Sequence, residues 1–269
     1  MRLLTPLAFL ALVACGGDSD DDTSGGTMTD TGSTTTGSGS ATGTTVGGTA
    51  AITGTVSDSS GAPLANVGIR FCRGLVCKFG ETDAAGAYGF EEIPADWHSL
   101  EMVPTDDVFA TSLIPVTFSE YETRTVNVVL PQSDAAVPLG APAEVELGTG
   151  LLITVGDGDL EPPAFVDPAT EASGVLLTPD QYVPTDGLTG TSVAQWYLAP
   201  FDHKSADGQP IRIDGAALGL TGSSYTAWVG DYKTSAWIEI GTFTDGDGDQ
   251  IFTTDGTLGV FSTIVLLEP

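Results

Sequence analysis

The chain has 269 residues, with 36 acidic against 8 basic side chains and a formal net charge of −28. Such a balance argues against nucleic acid as a partner, because phosphate backbones are held by clustered Lys and Arg, and it disfavours adhesion to anionic lipid. Beyond the N-terminal run, no apolar stretch reaches the roughly 20 residues that a membrane-spanning helix needs.

The first elements in chain order are an apolar run and a polar tether. Arg2 precedes an apolar stretch that ends in Leu12-Val13-Ala14-Cys15. A positive start, a short apolar core and small residues at the cut make an export signal. The tetrad resembles the lipobox of bacterial lipoproteins. The resemblance implies residues 1–14 as a signal peptide, cleavage before Cys15, and acyl chains on its thiol and new amine. At roughly 0.8 kcal/mol per buried methylene, several chains give a stable anchor. Gly16 rather than Asp follows Cys15, which under the sorting rule of enteric bacteria favours the outer membrane. Residues 15–50 read as a disordered tether. Thr, Gly and Ser make up 26 of the 35 residues in 16–50, and the segment has no Lys, Arg or aromatic residue. It cannot bury enough apolar surface to offset the entropy of ordering it, and its coil dimension is roughly 30–35 Å.

Residues 51–131 show short alternating strands separated by turn residues. Expected strands include 51–56, a strand beginning at 64 and running through Phe71, an aromatic strand at 87–90, 100–104 and 123–130. Ile52, Val56, Val67, Ile69, Phe71, Tyr88 and Phe90 occupy inward positions at spacing two. Cys72 and Cys77 are the two cysteines left after Cys15. In an exported chain an even pair reads as a disulfide, here across a hairpin whose four-residue loop holds Gly74. A loop this short supplies about 2–3 kcal/mol at most. The ordered set Ile52-Thr53-Gly54-Thr55-Val56, Gly61-Ala62-Pro63-Leu64-Ala65-Asn66-Val67, Thr82-Asp83-Ala84-Ala85-Gly86-Ala87-Tyr88-Gly89-Phe90 and Val126-Asn127-Val128-Val129-Leu130 resembles the carboxypeptidase regulatory-like domain. The resemblance implies a prealbumin-like β-sandwich without catalytic residues of its own. Some relatives of that fold bind glycans through exposed aromatics, which makes Trp97 a candidate sugar platform.

Residues 137–269 read as a second, Ig-like β-sandwich. Strands are expected at 143–147, 151–155, 192–199, 210–214, 224–228, 236–243, 250–253 and 259–267, separated by Gly, Asp and Pro. The run from Thr226-Ala227-Trp228 through Ala236-Trp237-Ile238 resembles the two-tryptophan hairpin of β-sandwich units that follow such accessory domains in bacterial surface proteins. This implies a fold and no activity. Trp196 and Tyr197 are a second candidate glycan platform. Asp157 and Asp159, and Asp245, Asp247 and Asp249, alternate with glycine. Alternate carboxylates on a tight loop can converge on Ca²⁺; a hairpin turn that tolerates positive φ is the other reading. The second run starts like an EF-hand loop, but Gln250 stands where that loop needs glycine and Gly256 where it needs a bidentate Glu.

Catalytic patterns are missing from the sequence. The two histidines, His98 and His203, are too far apart for a zinc protease motif, and no nucleophile elbow occurs. The expectation is a lipid-anchored, two-domain, all-β cell-envelope protein that is not an enzyme and has no cofactor apart from candidate Ca²⁺. It would act as a scaffold or protein-interaction module, with a carbohydrate-binding module as the alternative. Its partners would be an envelope protein or glycan, and its membrane contact the N-terminal lipid alone.

Overall fold

The structure is a computed structural model that describes residues 48–106 and 108–269, which fall within one compact unit. Cys15, the signal peptide and nearly all of the tether lie outside the described residues. The first half contributes β1 (Thr49–Ser57), β2 (Gly68–Arg73), β3 (Val76–Glu81), β4 (Ala87–Pro94), β5 (Trp97–Val103), β6 (Ser112–Thr117), β7 (Thr123–Thr125) and β8 (Val128–Val129). The second half contributes β9 (Val137–Pro138), β10 (Ala143–Glu146), β11 (Leu151–Val155), β12 (Glu171–Leu176), β13 (Thr191–Ala199), β14 (Lys204–Asp214), β15 (Ser224–Asp231), β16 (Ala236–Thr244), β17 (Ile251–Val260) and β18 (Thr263–Glu268). Among the described residues the only helical pieces are one short turn at Pro179–Gln181 and one α-helix, α1 (Gly215–Leu218). The fold is all-β and sandwich-like, as the alternating sequence pattern implies.

Three sheets account for the strands. One runs β4-β1-β7, with β8 also paired to β1; a second runs β3-β2-β5-β6; the third runs β10-β11-β14-β17-β16-β15-β18-β13-β12-β9. β1 shows why these residues form a strand. Ala50, Ile52 and Val56 are buried on one face while Thr49, Thr53 and Thr55 face solvent, the period-two pattern of a half-buried strand. Tyr88 fills the centre and its hydroxyl donates to the Val126 carbonyl at 2.6 Å.

The sheet holding β5 and β6 is the middle layer. Residues 98–102 of β5 and 112–116 of β6 are all buried, on both faces. One face packs on the first sheet, where Phe71 stacks on Phe90 at 5.5 Å. The other meets the ten-stranded sheet, where a side chain at Gly230 would collide with Leu113 and Pro115, and the Leu113 amide donates to Thr263 Oγ1 at 3.0 Å. A single core cluster therefore joins Ile52, Leu100 and Ile114 from the first half to Val175, Tyr197, Trp237 and Val265 from the second. Arg124 reinforces the junction with a two-point ion pair to Asp186, whose carboxylate also accepts the Thr117 amide. The ten-stranded sheet encloses a second core around Trp196, Phe243, Phe252 and Phe261.

Five segments differ from expectation. The segment 123–130 forms two short strands rather than one, because the Val126 amide turns to donate to the Thr53 carbonyl. The Val126 carbonyl comes so close to Gly54 that any β-carbon there would overlap it. The segment 259–267 is broken at Phe261-Ser262, where the pairing partner changes from β14 to β13. β6, β9 and β12 were not anticipated, because their sequences lack a polar-apolar alternation.

Candidate functional site

The most distinctive surface feature is the β2–β3 hairpin. Cys72 and Cys77 stand directly opposite each other in its register and form a disulfide. Gly74 takes a positive φ in the turn between them. β2 is anchored by β5, whereas β3 pairs only with β2 and is the edge of its sheet. Leu75, Val76 and Phe79 are 78%, 79% and 73% exposed, a concentration of large apolar side chains that a hairpin end does not normally carry.

Behind the hairpin lies a cavity of about 440 Å³ between the edge strands β3 and β4. Its walls are Phe71, Val76, Cys77, Ile93, Pro94 and His98, with Arg73, Lys78 and Glu92 around them. His98 stacks on Phe71 at 4.8 Å and meets Phe118 edge-on. Burial lowers the pKa of this imidazole, an effect stronger than the opposing contact of Nδ1 with the Asp96 carbonyl. Arg73 pairs with Asp96, and Lys78 Nζ donates to the carbonyls of Glu91 and Glu92. Glu92 has a positive φ at a register shift in β4, so Lys78 clasps a bulge across the cavity mouth.

The face of the middle sheet turned toward the ten-stranded sheet carries a buried carboxylate. Glu101 is 1% exposed; its Oε1 accepts from Arg70 at 3.0 Å and its Oε2 has no partner. Burial pushes its pKa up to about 7, against the pull of Arg70 and with a further push from the Asp202 charge. Asp202, between β13 and β14, is likewise raised, chiefly by burial, with Lys204 opposing and Asp231 adding to the shift. The seam between layers thus brings together carboxylates that the sequence places about 100 positions apart.

The predicted site residues fare differently. Trp196 is 0% and Tyr197 1% exposed. Neither can stack on a sugar, because β13 is covered on both faces; Trp196 Nε1 donates to the Thr149 carbonyl at 3.0 Å. That glycan platform is therefore corrected. Trp97 is half-buried and lies against Gly187. The two Asp-Gly runs are not brought together. β14 pairs with β11 and β17 such that Gly156–Asp159 lies at its start and Asp245–Asp249 at its end. Asp245 accepts the amides of Gly248 and Gln250, Asp249 that of Ile251, and Asp159 that of Gly156. Asp157 and Asp247 stay on the surface. Among the described residues, no group of three or more His, Cys, Asp or Glu is arranged to hold a metal ion. His203 is buried with its Nδ1 at the Phe201 carbonyl.

Sequence reasoning missed the exposed Leu75, Val76 and Phe79, although three large apolar residues around a cysteine hairpin turn are a readable signal. It also missed Trp228, half-buried beside Thr226 and Glu239 in a cleft of about 310 Å³.

No family model matches the chain, and no curated protein matches it. Among solved structures it is similar to GBS52, the minor pilin of Streptococcus agalactiae, at 16% identity and a TM-score of 0.26 over 33% of this chain and 45% of the pilin. It is also similar to a protein of Bacteroides uniformis proposed to bind carbohydrate, at 8% identity and a TM-score of 0.26 over 81% of this chain and 79% of that one. A third is the major pilin SpaD of Corynebacterium diphtheriae, at 11% identity and a TM-score of 0.28 over 78% and 81%. The chain thus spans less than half of the first of these, and likenesses of this size assign no activity.

Proposed function

We propose that this chain is a lipid-anchored cell-envelope protein whose β unit serves as a non-catalytic scaffold or protein-interaction module. The lipobox-like tetrad ending at Cys15 supports the anchor, and the resemblance of residues 51–131 to carboxypeptidase regulatory-like domains supports an accessory role. The observation that carries the non-catalytic reading is the use of both histidines in packing. His98 is wedged between Phe71 and Phe118, and the only hydrogen bonds of either ring among the described residues run to backbone carbonyls. Neither ring is therefore placed to activate a nucleophile. Outer-membrane residence and an envelope partner belong to the same proposal.

The test is expression of the full chain in a bacterial host, with mass spectrometry of the N-terminal peptide and fractionation of the envelope. The reading expects an acylated Cys15 and loss of membrane retention in Cys15→Ser. An unmodified Cys15 in a chain that is released without detergent would sink it.

A second reading, carbohydrate binding, moves to Trp228. Trp228 lines a cleft together with Glu239 and the hydroxyl-bearing Thr189 and Thr226, the combination of aromatic and polar residues that sugars select. A glycan array with the wild-type chain and Trp228→Ala decides it: binding lost on substitution supports it, and an array without hits removes it.

A further inference from the structure

Three observations meet at the cysteine hairpin. The first is the apolar surface of the hairpin, Leu75 and Val76 at the turn and Phe79 farther along β3 on its other face, with the turn closed by the Cys72–Cys77 disulfide and pinned to the body where the Gly74 amide donates to Oγ of the buried Ser235 at 3.1 Å. The second is the charge around it. From residue 48 onward the chain has seven cations, and four of them, Arg70, Arg73, Lys78 and Lys233, lie on this hairpin or beside its turn. Gly74 rests against the Lys233 backbone, and the Tyr232 hydroxyl is 3.3 Å from Cys77 Sγ. A tyrosine and lysines bordering an apolar end match the headgroup level of a bilayer, where amphipathic rings and long cationic stems are favoured. Carboxylates are near as well: Asp96 pairs with Arg73, Glu101 with Arg70, and Glu92 borders the cavity. The contact is therefore one of apolar insertion with local charge balance, suited to a zwitterionic surface more than to a strongly anionic one.

The third observation is where the rest of the chain joins. Residues 1–47 enter the described unit at Gly48, and the next residue, Thr49, pairs with Pro94. Pro94 borders the cavity behind the hairpin, two residues from the Asp96 that holds Arg73. The segment carrying Cys15 therefore meets the folded unit at the same end as the apolar turn.

The geometry points to a second membrane contact, in which Leu75, Val76 and Phe79 insert into a phospholipid bilayer while Arg73, Lys78, Tyr232 and Lys233 lie at the headgroups. This goes beyond attachment through the N-terminal lipid, and it rests on the envelope reading only for its setting. Such a contact would seat the folded unit in a fixed orientation, with the far end of the ten-stranded sheet presented outward.

Vesicle flotation tests it, using phosphatidylcholine alone and phosphatidylcholine with phosphatidylglycerol at roughly 7:3. The Cys15→Ser chain and the same chain carrying L75S, V76S and F79S share every N-terminal residue, so the ratio of their bound fractions isolates the hairpin. The expected result is at least a tenfold weaker partition for the triple-serine chain, with unchanged thermal melting because all three side chains are exposed. In Leu75→Trp, vesicles should shift the added emission to the blue, and brominated phosphatidylcholine should quench it. Equal partition of the two chains, or an unshifted and unquenched Trp at 75, overturns the proposal. Loss of a protein partner by the serine chain with vesicle binding intact would overturn it in favour of protein docking. Absence of acyl groups on the wild-type Cys15 would defeat the lipid-anchor reading while leaving the flotation ratio to decide the hairpin.

Discussion

Glu101 is a charge-bearing group in a place where charge is expensive. It lies on a strand covered on both faces, with one oxygen on Arg70 and the other without a partner. Its carboxyl stays protonated up to about pH 7 in the folded chain, against an ordinary value of 4.5. Between those values the folded state holds a proton that the unfolded state has released, so stability declines as pH rises. This contribution is fully present below about pH 4.5 and is lost on passing through 7. A shift of this size corresponds to about 3 kcal/mol, several degrees of melting temperature for a chain this long. Glu101→Gln keeps the shape and removes the ionisation. It is expected to melt higher than wild type at pH 8–9, and the two should converge near pH 5. Parallel melting curves across that range would show that Glu101 ionises freely at the seam.

At the scale of elements, the β2–β3 hairpin shows a strand held from one side only. β2 has β5 as a second neighbour, while β3 depends on β2, the disulfide and the Lys78 clasp. The loop closed by the disulfide is short, so its removal should lower stability by only about 2 kcal/mol. Replacing Cys72 and Cys77 together by Ser is expected to leave one cooperative transition at slightly reduced temperature. Amide exchange should accelerate at 76–81 while staying slow in β5. Equal acceleration in both strands would mean that the disulfide supports the whole sheet. This hairpin was legible in the sequence, because two cysteines around a glycine-bearing turn leave few other arrangements. So was β1, whose alternation is set by solvent on one face, and so was the β15–β16 tryptophan hairpin. β6 was not, since burial on both faces erases the alternation and lets Ser112 hide among apolar residues, whereas β5, covered in the same way, was expected over 100–104 and only its start at Trp97 was missed. The same covering misled the reading of Trp196 and Tyr197: an aromatic pair on a strand gives no sign of a second layer above it. The Asp-Gly runs were legible as turns, and only the register of β14 shows that they sit at opposite ends of the sheet.

At the scale of the molecule, the seam determines whether the two halves are separable. The joint core cluster draws Val175, Leu177, Val183, Tyr197, Trp237, Val265 and Leu267 from beyond residue 137 and packs them with β1, β5 and β6. Burying a large apolar side chain is worth about 1.5–3 kcal/mol, so these seven represent on the order of 10 kcal/mol by the same rule. That matches the whole net stability of a typical domain, about 5–15 kcal/mol. A fragment of residues 137–269 would expose all of them as one apolar face, together with the Asp186 carboxylate that pairs with Arg124. The full chain is therefore expected to unfold in a single calorimetric transition, with the van't Hoff and calorimetric enthalpies in agreement. The fragment should self-associate or bind a hydrophobic dye, and should melt well below the parent. Two resolved transitions in the full chain, or a monomeric fragment that melts with the parent's cooperativity, would mean that the seam is a docked contact between independent sandwiches. The pH dependence adds a second discriminator. If the seam is part of the fold, Glu101→Gln raises the one transition at high pH. If it is a docked contact, the substitution strengthens docking and leaves the intrinsic melting of each half where it was.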